Sequence, residues 1–216
     1  MATLVSGGQR HEPRLVSEIV NVVSHERQPP PRETLEPLAL KPEHVDVIRR
    51  ALHGVTTEGT STRVFAGAGY ASGGKTGTAQ AVGVRANEKY NAARLGEFQR
   101  DHSLYNAFAP LDRPTVALAV IVENAGFGAE AAAPIARRVL DYLLQGQYPS
   151  EDDIALTRIG KAGAPVGTPR RAADVPLPTL MNAGIATPVA ASEPASAASA
   201  SAASASAATS ANTTPR

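Results

Sequence analysis

The chain has 216 residues, a net charge of +1 with acidic and basic side chains interspersed, no cysteine and no tryptophan. This excludes disulfides, thiol catalysis and cysteine-ligated zinc, and it argues against a nucleic-acid partner, which needs a basic footprint or a stacking platform. The five histidines lack metal-ligand spacing and read as surface or core residues, so neither a metal nor a cofactor is expected.

Taken in chain order, Met1 to Ser6 reads as the end of a helix stopped at Gly7-Gly8. Its abrupt start suggests that further chain precedes Met1. "LVSEIVNVV", Leu15 to Val23, is rich in Val and Ile and is expected to be a strand. "SHERQPPPRETLEP" is expected to be a loop because of its prolines. Lys41 to Val55 reads as a helix with Pro42 in its first turn. Val45, Ile48 and Leu52 would form its buried stripe, with Arg49 and Arg50 in water. Ser72 to Val84 reads as extended chain, and Arg85 to His102 as a polar connection. Leu104 to Ala109 and Thr115 to Glu123 read as strands joined by the turn "PLDRP". "VALAVIV" is apolar on both faces and is expected to be central in a sheet. A helix should open at Pro134, bury Ile135, Val139, Leu140 and Leu143, and close at Gly146. Strands joined by a tight turn and covered by helices make an α+β fold.

The composition divides the chain into a foldable part over 1–145, a poorly structured linker over 146–185, and an Ala/Ser/Pro-rich tail over 186–216 that is expected to be disordered. No segment approaches the ~20 apolar residues of a membrane span, and no signal peptide opens the chain.

One stretch, "GAGYASGGKTGTAQ" from Gly67 to Gln80, fits two unrelated motifs. Gly69 to Thr76 matches the phosphate-loop string G-x-x-x-x-G-K-[ST]. Lys75 to Gly77 is K-T-G, one of three motifs of the penicillin-recognising serine enzymes. A phosphate loop needs a helix that starts at Lys-Thr, so that free N–H groups meet the anion. Here Gly77 and Gly83 follow, and each interior glycine costs a helix about 1 kcal/mol relative to alanine. A carboxylate-binding K-T-G needs an extended edge strand instead, and "KTGTAQAV" has that character.

The stretches "ASGGKTGTAQ", "ANEKYNAARLGEFQRDHSLYNAFAP" and "VALAVIVENAGFGAEAAAPIARRVLDYLL" resemble the C-terminal part of class B penicillin-binding proteins, in particular the elongation-specific penicillin-binding protein 2 group. The resemblance implies part of a serine D,D-transpeptidase domain. Such a domain acylates its serine with a stem peptide ending in D-Ala-D-Ala, passes the acyl group to an amine of a neighbouring strand, and is trapped by β-lactams. It also implies an inner-membrane anchor, a periplasmic catalytic domain and partners among the wall-elongation proteins.

By the same resemblance, Lys75 supplies positive charge for the donor carboxylate, Thr76 and Thr78 supply hydroxyls to it, and Gly77 leaves it room. The backbone N–H of Thr78 matches an oxyanion donor. The family also needs Ser-x-x-Lys on a helix and Ser-x-Asn on a loop. Ser72 to Lys75 and Ser210 to Asn212 match only in spelling, and neither is assigned a role. The expectation is therefore a transpeptidase segment without its nucleophile. The alternatives are a P-loop protein using Gly69 to Thr76, or a non-catalytic interaction module.

Overall fold

The computed structural model describes residues 1–83 and 90–175. The tail over 186–216 and the Ser210–Asn212 string lie outside these residues. The apolar stub forms a short helix, α1 (Ala2–Val5), followed by Gly7 and Gly8 at positive φ. The expected strand over 15–23 shrinks to β1 (Ile19–Val20), which pairs antiparallel with β2 (Arg27–Gln28) inside the supposed proline loop. Leu15, Val22 and Val23 stand in water, at 106%, 85% and 86% exposure. The β-branched composition is there, but β1 pairs only with β2 among the described residues and both strands are exposed, so little burial rewards a longer strand.

Next comes α2 (Pro42–Thr57), with proline in its first turn and Glu43 beside its N-terminal dipole. Of the expected stripe, Val45 is buried and Leu52 half-buried, but Ile48 is exposed. Arg49 is not on the wet face: its guanidinium donates to the carbonyls of Leu111 and Asp112. The single turn α3 (Thr62–Phe65), which no periodicity could announce, buries Val64 and Phe65.

The scaffold of the fold is a three-stranded antiparallel sheet of β3 (Gly73–Ala79), β4 (His102–Ala109) and β5 (Val116–Val122), in that order. The central strand is therefore β4. The expectation for "VALAVIV" fails because β5 is an edge strand among the described residues, and its burial alternates, with Ile121 60% exposed. In the polar connection the described part holds two 3-10 turns, Ala92–Arg94 and Glu97–Gln99.

One face of the sheet packs on α4 (Ala132–Gln145) and α3. The core there joins Tyr105, Ala107 and Ala109 to Val64, Phe65, Ala132, Ala133, Ala136 and Leu140. The expected stripe of α4 is corrected: Leu140 is buried, but Val139 and Leu143 are exposed. The helix instead turns its alanines to the sheet, because small side chains allow close approach.

Arg137 and Arg138 are buried beside those alanines and matched. Arg137 Nε donates to both carboxylate oxygens of Asp141, at 2.8 and 2.9 Å. Arg138 reaches Asp153, at 2.9 and 2.5 Å. Asp153 belongs to α5 (Glu151–Arg158), capped by the Ser150 hydroxyl, and the flanking chain pairs as β6 (Gln147–Tyr148) with β7 (Arg170–Arg171). The first part of the supposed linker is thus ordered, because one buried ion pair and a capped helix replace the apolar residues it lacks. No helix among the described residues is long and apolar enough to cross a membrane.

Candidate functional site

Lys75, Thr76, Gly77 and Thr78 lie together on β3, whose outer edge pairs with no other strand among the described residues. The Lys75–Thr76 pair sits inside a strand that runs on to Ala79, so no helix starts there and the phosphate-loop reading of Gly69 to Thr76 loses the N–H groups that would hold an anion. Ser72 is buried and precedes the strand in irregular chain, so Ser72 to Lys75 is not a helical Ser-x-x-Lys pair.

The pleat divides the four side chains. Lys75 and Gly77 pair with Asn106 and Leu104, whereas Thr76 and Thr78 pair with Tyr105 and Ser103, which are buried on the α4 side. What brings the residues together is the free edge. A Cβ placed on Gly128 would lie 2.4 Å from Leu104 O, 2.6 Å from Gly77 O and 2.9 Å from Gly77 N. Gly77 therefore turns its N–H and C=O toward β4. Backbone direction alternates along an antiparallel strand, so Thr76 and Thr78 turn theirs outward.

Two contacts agree with that alternation. The Lys75 ammonium curls to the edge and donates to Thr76 O at 2.6 Å. Ser72 O, of the same parity as Thr76, takes the His53 ring N–H at 2.8 Å and lies 2.9 Å from the Thr56 hydroxyl, both on α2. Thus α2 covers the start of the edge, and Thr78 farther along is exposed. Lys75 is exposed and makes no ion pair among the described residues. An exposed ammonium, outward backbone groups and two hydroxyls suit an extended peptide with an anionic end.

The backing of this strand is rigid. Tyr105 is fully buried, and its hydroxyl shares a 2.8 Å hydrogen bond with Ser61. Burial pushes its phenol up to about 12. A Cβ on Gly74 would stand 2.1 Å from that hydroxyl, so glycine is needed there.

Sequence reading missed several residues that shape the site. The Thr60 hydroxyl lies 3.1 Å from that of Thr76. His53 and Thr56 hold Ser72, and Gly128 supports Gly77 from behind. Only the last left a signal, in the glycine-rich "AGFGA", and its spatial partner is far away in sequence.

Residues 1–141 match the model of the penicillin binding protein transpeptidase domain. The chain is 37% identical over 150 residues to the peptidoglycan D,D-transpeptidase MrdA of Haemophilus influenzae, covering 68% of this chain and 23% of that protein. It is 42% identical over 103 residues to MrdA of Escherichia coli K12, covering 47% and 16%. Among solved structures, penicillin-binding protein 2 of Pseudomonas aeruginosa in complex with WCK 5153 matches with a TM-score of 0.50 and 31% identity, over 66% of this chain and 28% of that one. A ceftriaxone acyl-enzyme of penicillin-binding protein A from Mycobacterium tuberculosis matches with a TM-score of 0.50 and 28% identity, over 67% and 30%. The chain spans about a quarter or less of the curated relatives it matches, 23% and 16% of their lengths.

Proposed function

This chain belongs to the penicillin-binding protein transpeptidase domain family, and from that premise we propose that it supplies the Lys-Thr-Gly wall of a serine D,D-transpeptidase that cross-links peptidoglycan stem peptides and binds β-lactams. The observation that carries this reading is the open edge of β3, with the Lys75 ammonium at Thr76 O and the Thr78 backbone turned outward. A donor peptide lies along that edge as an added strand. Its terminal D-Ala carboxylate meets Lys75 and the hydroxyls of Thr76 and Thr78, and Gly77 keeps the strand surface clear.

The Thr78 N–H then points to where a carbonyl oxygen becomes negative during acylation. Loss of one such donor typically costs about 2.7–4 kcal/mol. A β-lactam carboxylate and carbonyl use the same groups. The attacking hydroxyl is not among the residues of this site: Ser72 is buried and off a helix. A serine with its own base must complete the cleft. In this reading the wall works in the periplasm, on an enzyme held at the inner membrane beside other wall-elongation proteins.

Residues 1–141 exchanged into the Haemophilus influenzae relative provide the test. Labelling by a fluorescent penicillin is expected, and Lys75→Ala in the exchanged protein removes it. A cooperatively melting exchange protein that takes no label contradicts the proposal.

A further inference from the structure

A cavity of about 380 Å³ lies between the chain that enters β4 and the connection from β5 to α4, and Tyr90, Arg100, Asn124, Phe127 and Glu130 line it. Its walls are fixed. Asn124 donates its backbone N–H to His102 Nδ1 and its side-chain amide to Arg100 O, both at 3.0 Å. Gly126 N–H donates to Asp101 O at 2.8 Å. The Ser103 hydroxyl donates to Phe127 O and accepts from Ala132 N–H, each at 3.0 Å. The Tyr90 hydroxyl accepts from Asp101 N–H at 3.0 Å.

Arg100 is the exception among the described residues. Arg49, Arg137 and Arg138 are also withdrawn from solvent, and each has carbonyl or carboxylate partners. Arg100 makes no ion pair among the described residues, and its Nε is buried without a hydrogen-bond partner. Native folds keep few such groups, because each forfeits its hydration without recompense. Glu130 lines the same cavity, yet the two opposite charges do not pair. An acid and a base that face one cavity unpaired leave room for a ligand that carries both complements. Phe127, 56% exposed, supplies an apolar wall beside them.

We propose that this cavity binds an amino-acid group with a free carboxylate and a free ammonium ion. Arg100 takes the carboxylate, Glu130 the ammonium, and Phe127 the aliphatic carbons between or beside them. The source of the ligand rests on the preceding reading: the stem peptide of an acceptor strand offers such a group. Its place fits, since Arg100 is only a few residues along the chain from Ser103, the register partner of Thr78, which is about 10 Å at about 3.4 Å per residue.

The test is amide NMR of the full chain with diaminopimelic acid as the probe, against cadaverine, which lacks the carboxylates, and glutaric acid, which lacks the amines. Saturable shifts are expected at Arg100, Asp101, Gly126 and Phe127 with diaminopimelic acid, with each control weaker by about tenfold. Arg100→Gln should weaken the probe by about tenfold without lowering the thermal midpoint. Glu130→Gln should weaken the probe but leave glutaric acid unchanged. Absent or unsaturable shifts, equal binding of glutaric acid, or indifference to Arg100→Gln overturns the proposal. None of these readouts depends on acylation, so penicillin labelling of the exchanged protein judges the Lys-Thr-Gly reading separately.

Discussion

Asp153→Asn removes one charge from the most enclosed ion pair among the described residues and keeps its shape. The Arg138 and Asp153 side chains are 8% and 1% exposed. Two hydrogen bonds join them, and Arg138 also donates to Pro134 O and Gly163 O at 3.0 and 2.9 Å. Asparagine would leave the guanidinium buried with half its compensation and set an amide N–H against it. Breaking a buried pair from one side costs about 3–5 kcal/mol, a large share of the roughly 5–15 kcal/mol that holds a typical domain. If undocking of α5 is easier than tolerating the bare charge, the loss is capped at the undocking free energy.

Urea denaturation of the full chain gives the loss, and hydrogen exchange at α5 and α4 separates the two routes. The double change Arg138→Met with Asp153→Leu should recover most of it, since a matched apolar pair removes the stranded charge. A loss below about 1 kcal/mol for Asp153→Asn, the low range of exposed pairs, with α5 still protected, would refute the claim that this pair fastens 147–175 to α4.

Three further outcomes follow from the same geometry. Gly128→Ala should destabilise the chain by roughly 1–3 kcal/mol and shift the amide signals of Gly77 and Thr78, because its methyl would meet backbone rather than a flexible side chain; unmoved signals would contradict it. Stability should be full below pH 10 and fall as pH rises toward about 12, because Tyr105 keeps its proton in the fold after the unfolded chain has released it; the slope is about 1.4 kcal/mol per pH unit for one tyrosine. Tyr70, raised by burial and then by the charge of Asp141, steepens that fall, and phenolate formation near pH 10 assigned by NMR to the Tyr70 or Tyr105 ring of the folded chain would contradict it. The chain alone should form no covalent adduct with a penicillin by intact mass, and an adduct mapped to Ser72 would make that buried residue a nucleophile.

Local pattern made part of this fold legible. Two apolar runs around "PLDRP" became β4 and β5, and the glycine-rich K-T-G stretch became an extended strand. Partners distant in sequence decided the rest. Composition could not tell that Arg138 would find Asp153, and so the chain after Gly146 looked unable to fold. One local sign was available there: Ser150 precedes Glu151, Asp152 and Asp153, the expected start of a capped helix. The face of α4 was misread because its apolar residues were counted and its alanines were not. At the site, identity and extended conformation were legible. The free edge was expected on chemical grounds, but Thr60, His53, Thr56 and Gly128 came from elsewhere in the chain and carried no motif.

The most direct measurement is the second-order rate of penicillin acylation in the exchanged protein, with and without Lys75→Ala, beside the thermal midpoint of each. Lys75 is exposed and makes no ion pair among the described residues, so its removal should barely touch folding. The rate should fall by at least about a hundredfold, or ~2.7 kcal/mol at about 1.36 kcal/mol per decade, with the midpoint unchanged. An unchanged acylation rate would contradict the claim that the Lys-Thr-Gly edge of this chain holds the carboxylate of the substrate.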